Sequence, residues 1–352
     1  MNESQNLKQT FLSLILFFYV LLPLAFYGIP LSYVLIEQVD FNVHWYVDFA
    51  LNSESLFRIL AIHLFIGLSI YLVSKHILQD LKIKQSKNSF VPIFIILCLT
   101  VQFFPISYIK LLSFLALIFL LTITQINTKI LLIFFIFSFL SLVLSQDREL
   151  FVFFSILLAL SLRMSLLNIF VFGILGLMFL SLVLEPLKYG MSPIEFFSTN
   201  EGLFYLLVHL QPIYVSGFFF LEYDQNLLNL FAEGIPFMKG FLDVGSVSIS
   251  ENFSKYDAGI SLDFGSNSSM YASLQGVFVC LLFLSILTIM PRLSEEYSAS
   301  FIFYITLMGP TFIRRSFGSY VVDLIILFVF ICLIFGTKIL AKRLFRPKKN
   351  SL

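Results

Sequence analysis

The sequence predicts an all-α, polytopic membrane fold, and three observations carry that expectation. Hydrophobic residues make up 59% of the 352 residues, charged residues 12%, and the mean hydropathy is +0.95. Soluble domains carry about 25% charged residues, so lipid is the expected solvent. The apolar runs are continuous and lack the alternation of a β-barrel. Without water, backbone groups must then be satisfied inside helices. The third observation is a single long polar insert, residues 186–275, in a chain whose other polar breaks are short.

Ten spans are expected, at residues 11–34, 59–74, 90–104, 108–124, 130–145, 150–162, 165–184, 277–290, 300–312 and 320–335. The first is too long for a signal-peptide core and lacks a small-residue cleavage site, so it reads as a retained helix. The second is bounded by Arg58 and Lys75. Proline at Phe104-Pro105-Ile106 separates the third from the fourth. Charge makes the next breaks, at 146–149 and at Arg163. Several cores fall short of the roughly 20 residues that cross a bilayer and borrow flanking Ser, Thr, Tyr and Asn.

Within the insert, residues 203–220 are apolar but interrupted by His209, Gln211 and Pro212, which suits a re-entrant or interfacial helix. Residues 226–239 read as amphipathic, and 245–269 as Ser/Asp/Gly/Asn-rich loop. The chain is expected to be one integral membrane domain, 1–352, with 186–275 as its long loop between spans seven and eight.

Lys and Arg collect on the cytoplasmic side of membrane proteins. With the N-terminus inside, fourteen of the 22 fall inside, among them Lys8, Lys75, Lys87, Lys129, Arg163 and the basic tail. Eight fall outside, three of them in the long loop. Both termini are then cytoplasmic and the loop faces outward. No basic footprint for nucleic acid is present. Cys98, Cys280 and Cys332 all lie in apolar blocks with the spacing of neither a metal site nor a disulfide framework. No Walker, HExxH or GxSxG motif occurs in a supporting context, and no DxD-like pair marks a metal-dependent transferase. Neither metal nor cofactor is expected.

Arg148, in Ser145-Gln146-Asp147-Arg148-Glu149, and Arg314 and Arg315, in the turn before the last span, lie on the side where positive charge is disfavoured. A guanidinium fork matches phosphate oxygens, so these arginines could clamp a pyrophosphate leaving group without a metal. The alternative is pairing of Arg148 with Asp147 or Glu149, and anchoring of Arg314 and Arg315 to headgroups. His209 is either a general base or an interfacial histidine. The loop carboxylates, Asp257 and Asp263 among them, are too many to separate by inspection. Asp323 falls inside the last span, where an ionisable group is a functional candidate or a structural partner of Lys110 or Arg315. His44 and Trp45 read as interface residues.

Three segments carry a likeness. They are Ser141-Leu-Val-Leu-Ser-Gln-Asp-Arg148-Glu-Leu before an apolar helix, the Gly/Ser-rich run from Gly259 through Tyr271 to Gly276, and Ile313-Arg314-Arg315-Ser-Phe-Gly318. With the span pattern, the chain resembles the Wzy-type O-antigen polymerases, the oligosaccharide repeat-unit polymerases related to the O-antigen ligases. Glu149 stands where that family carries Gly, and the ligases' His-rich loop signature is missing.

The resemblance implies a GT-C-like glycosyltransferase of lipopolysaccharide biosynthesis in the bacterial inner membrane. It would join repeat units linked to undecaprenyl pyrophosphate into surface polysaccharide at the periplasmic face. Arg148 with Arg314 or Arg315 would bind the pyrophosphate, and His209, Asp257 or Asp263 would deprotonate the acceptor. Its partners would be the lipid-linked glycans, membrane lipid, and a chain-length regulator and flippase of the same pathway. The competing readings are an O-antigen ligase, a lipid-linked oligosaccharide flippase and a non-catalytic scaffold.

Overall fold

The computed structural model describes residues 3–38, 52–81, 107–125, 127–145, 148–179, 190–198, 295–312 and 323–333. Short pieces at 86–87, 95–96, 183–184, 186, 281, 284–286 and 288–289 complete the described set. Helix dominates it, as the composition requires.

Helix α1 (Glu3–Leu16) continues through one π-wound turn (Phe17–Leu21) into α2 (Leu22–Glu37). The apolar run within it, Gln5–Glu37, is 33 residues long, or about 50 Å at 1.5 Å per residue. A hydrocarbon core is about 30 Å thick, so this helix outreaches it and continues past the expected span, 11–34, at both ends. Helix α3 (Ser53–Asp80) likewise extends past the expected 59–74 on both sides. These two are long and apolar enough to cross a membrane. Only 33% and 39% of their most apolar windows are buried, which is unlike the core helix of a soluble protein.

Shorter apolar helices follow. They are α4 (Ser107–Ile123), α5 (Thr128–Ser145), α6 (Arg148–Leu162) and α7 (Leu166–Phe179), close to the expected spans in that region. Leu167, Phe172 and Leu175 of α7, with Ile133, Ile136 and Phe137 of α5, are exposed. Exposed apolar faces of this extent need a non-aqueous neighbour. A six-residue helix, α8 (Pro193–Ser198), follows within the long insert. Its start is a capping box: the Glu195 N–H donates to Ser192 Oγ at 3.2 Å, and the Ser192 N–H to a Glu195 carboxylate oxygen at 3.4 Å. Helix α9 (Glu295–Met308) runs into a 3-10 turn (Gly309–Thr311), and α10 (Asp323–Leu333) closes the described chain. Apart from helices, two-residue strands Ser86–Lys87 and Thr124–Gln125 pair in parallel.

Side-chain contacts fix the relative directions. Helix α9 runs alongside α1 and the π turn in the same sense, because Phe11 meets Phe303 (4.9 Å between ring centroids) and Tyr19 meets Phe312 (4.6 Å). Helix α10 returns against α9, since Tyr304 bonds Asp323 while Tyr297 packs on Phe328. Helix α3 returns against α1–α2, with Tyr27 beside His63 and Lys8 donating to the Gln79 carbonyl at 3.1 Å. Thr128 and Ser161 hydroxyls meet at 2.6 Å where α5 begins and α6 ends. The Thr10 hydroxyl donates to the Met164 carbonyl at 3.2 Å. Lys8, the end of α3, the start of α5 and the α6–α7 turn therefore share one end of the bundle. That turn is a Schellman motif: Met164 N–H bonds Ala159 O, Arg163 N–H bonds Leu160 O, and Arg163 is left-handed at φ 54°. Backbone geometry, as well as the charge expected from the sequence, makes this break.

Candidate functional site

Arg148 is the first residue of α6, so its backbone stands at a helix N-terminus, where free N–H groups favour anions. That N-terminus lies at the bundle end opposite Lys8, because the other end of α6 carries Ser161. Helix α9 runs towards the same far end and ends its described course at Phe312, two residues before Arg314. Arg314, Arg315, His209, Asp257 and Asp263 lie outside the described residues, as do His44, Trp45, Cys98 and Cys280.

The described residues do bring together a buried polar seam between α9 and α10. Asp323, 3% exposed, accepts a hydrogen bond from the Tyr304 hydroxyl at 2.7 Å. One turn down α9 is about four residues; two turns down, Tyr297 donates to the Leu324 carbonyl at 3.0 Å. Both hydroxyls face α10, so two tyrosines on one stripe of α9 hold the first described residues of α10. A buried carboxylate is costly unless it is hydrogen-bonded, and Tyr304 supplies part of that satisfaction. Tyr304 is a described partner of Asp323; the Lys110 side chain and Arg315, the partners expected from the sequence, lie outside the described residues.

A second cluster joins α2, α3 and the end of α9. His63 is 1% exposed. Its Nδ1 lies 2.9 Å from the Ile59 carbonyl, and its Nε2 3.3 Å from the Tyr27 hydroxyl. A carbonyl only accepts, so Nδ1 carries the proton and Nε2 accepts from Tyr27. The Tyr27 ring stacks obliquely on the imidazole at 4.5 Å, and Phe312 meets it edge-on at 6.0 Å. Tyr19, which also packs on Phe312, donates its hydroxyl to the Ile305 carbonyl at 2.9 Å. Both ring nitrogens of His63 are thus engaged by protein groups, which is a bracing arrangement.

Sequence reasoning found Asp323 and passed over His63. The available signal was the same for both, an ionisable side chain amid an apolar run. Among the described residues no group of His, Cys, Asp and Glu could hold a metal ion. Cys332 is an exposed free thiol.

These features define the class as an apolar helical protein with membrane-length helices and a buried polar seam near one end. Comparison with family models, with curated proteins and with solved structures gives no match.

Proposed function

We propose that the protein is a multi-pass enzyme of the bacterial inner membrane that polymerises undecaprenyl-pyrophosphate-linked oligosaccharide repeat units. The product would be O-antigen or a related surface polysaccharide, the fold GT-C-like, and both termini cytoplasmic. In the reaction, a sugar hydroxyl of the acceptor unit attacks the anomeric carbon of the donor glycan. The bond from that carbon to the pyrophosphate oxygen breaks, and a loop base takes the hydroxyl proton. Arg148 with Arg314 or Arg315 stabilises the departing pyrophosphate as negative charge develops. His209, Asp257 and Asp263 are the candidate bases.

One observation carries the reading furthest. The N-terminus of α6, which begins with Arg148, lies at the bundle end opposite the one that gathers Lys8, Lys129 and Arg163, and α9 runs towards it before Arg314-Arg315. Helix N-terminal N–H groups and guanidinium donors from separate segments suit one anionic group.

The test is the surface glycan of a strain deleted for this gene and complemented with wild type, Arg148→Ala or Arg148→Lys. Collapse of the ladder to core plus one repeat, unrelieved by either variant at normal membrane levels, is the expected result. Loss of every repeat from the core would point to a ligase or flippase instead, and an unchanged ladder would refute the reading.

A further inference from the structure

The π turn Phe17–Leu21 interrupts a helical run of membrane length just before Pro23, whereas Pro30 further on stays within α winding. In α winding the Tyr19 carbonyl would accept from the residue four positions on, which is Pro23. Proline has no N–H to give, and its ring crowds the carbonyl four residues back. Winding one turn more widely relieves that clash, and the Leu22 N–H accordingly reaches the Phe17 carbonyl across five residues. A π turn holds one residue more than an α turn, so it also resets the phase of everything after it. Ile15 and Tyr27 are both fully buried. Twelve residues at about 100° each would set them about 120° apart in an unbroken α-helix. With one residue absorbed, the angle falls to about 20°, and Tyr27 comes to His63.

Helix α3 packs closely against the same turn. A Cβ on Gly67 would overlap the Tyr19 carbonyl oxygen, and the clash would be with backbone, which has no soft rotamer to yield. Only glycine admits that approach. Helix α9 docks at this level too, through the Tyr19 hydroxyl on Ile305 and the Tyr19 ring on Phe312.

We propose that Pro23, the widened turn and Gly67 form one joint: the proline displaces the Tyr19 carbonyl, Gly67 receives it, and the absorbed residue phases α2 onto α3. The joint couples the winding of the first helix to the seat of α9.

Deleting Val20 while replacing Pro23 with Ala leaves Leu22 four residues from Phe17 and restores the missing N–H. This double change converts the turn to α winding and keeps α2 in phase. The experiment compares thermal midpoints of the purified full-length chain in detergent. Gly67→Ala lowers the midpoint of the parent, and in the double-change background its cost falls by at least half. Tyr27→Phe costs the same in both backgrounds, because the Tyr27–His63 contact is kept. An undiminished Gly67→Ala cost, or a vanished Tyr27→Phe cost, overturns the proposal. Should the deletion chain not accumulate, Pro23→Ala alone decides: a reduced Gly67→Ala cost supports the joint, and an unchanged one overturns it.

Discussion

Tyr304→Phe is the sharpest probe of the buried seam. The substitution removes one oxygen and keeps the ring, so no cavity adds to the cost. The lost bond is a hydroxyl donating to a carboxylate oxygen at 2.7 Å, with Tyr304 fully buried and Asp323 3% exposed. Net contributions of hydrogen bonds to charged groups run about 1.5–3 kcal/mol. The lost donor leaves the carboxylate less well satisfied in a medium without water to replace it. We expect Tyr304→Phe to destabilise the protein by about 2 kcal/mol. The assay is unfolding in mixed micelles titrated with SDS, run as a double-mutant cycle with Asp323→Leu, which cannot accept the bond. The cycle should return a coupling of about 1 kcal/mol, within the range for residues in direct contact. A Tyr304→Phe protein within about 0.5 kcal/mol of the parent, with no coupling, would refute the claim that this pair holds α10 to α9.

Other outcomes follow from neighbouring geometry. Gly309→Ala would press a methyl group onto the Phe18 Cβ at 2.8 Å, and overpacking of this kind costs about 1–3 kcal/mol. Gly176→Ala meets nothing within 4 Å, so the same assay should show it neutral or stabilised by about 0.5–1 kcal/mol through helix propensity. Tyr27→Phe and His63→Leu should each cost about 1–3 kcal/mol by removing the buried Tyr27–His63 hydrogen bond. Their double variant should cost less than the sum, because the shared bond is lost only once. Arg148→Lys should leave stability unchanged while depleting long glycan chains on gels, since an ammonium cannot reproduce bidentate phosphate binding.

Much of the helical frame was legible in composition and punctuation. Helix α5 ends at Ser145 and α6 begins at Arg148, and α6 gives way to α7 at Arg163, close to the charged positions where the apolar runs stop. Helix lengths were less legible: α1–α2 and α3 continue past their apolar cores into polar residues such as Asn6, Glu37, Glu54 and Asp80, which hydropathy alone cannot assign. Helix α8 was missed although Ser192-Pro193-Ile194-Glu195 spells a capping box. The π turn was missed although Pro23 forbids one α bond. Asp323 stood out because an acid in an apolar run is conspicuous. His63 did not, because its role depends on Tyr27 and Phe312, which are remote in sequence and ordinary in composition. Phase along a helix and contacts between helices belong to packing, and hydropathy does not carry them.

The most direct measurement is polymerisation by the purified protein in proteoliposomes, supplied with a single repeat unit on undecaprenyl pyrophosphate. The account predicts chains longer than one repeat and release of undecaprenyl pyrophosphate. Both should be lost in Arg148→Ala protein that is inserted and folded like the parent. Chains that stay at one repeat with folded wild-type protein, or an Arg148→Ala protein that polymerises at the wild-type rate, would contradict it.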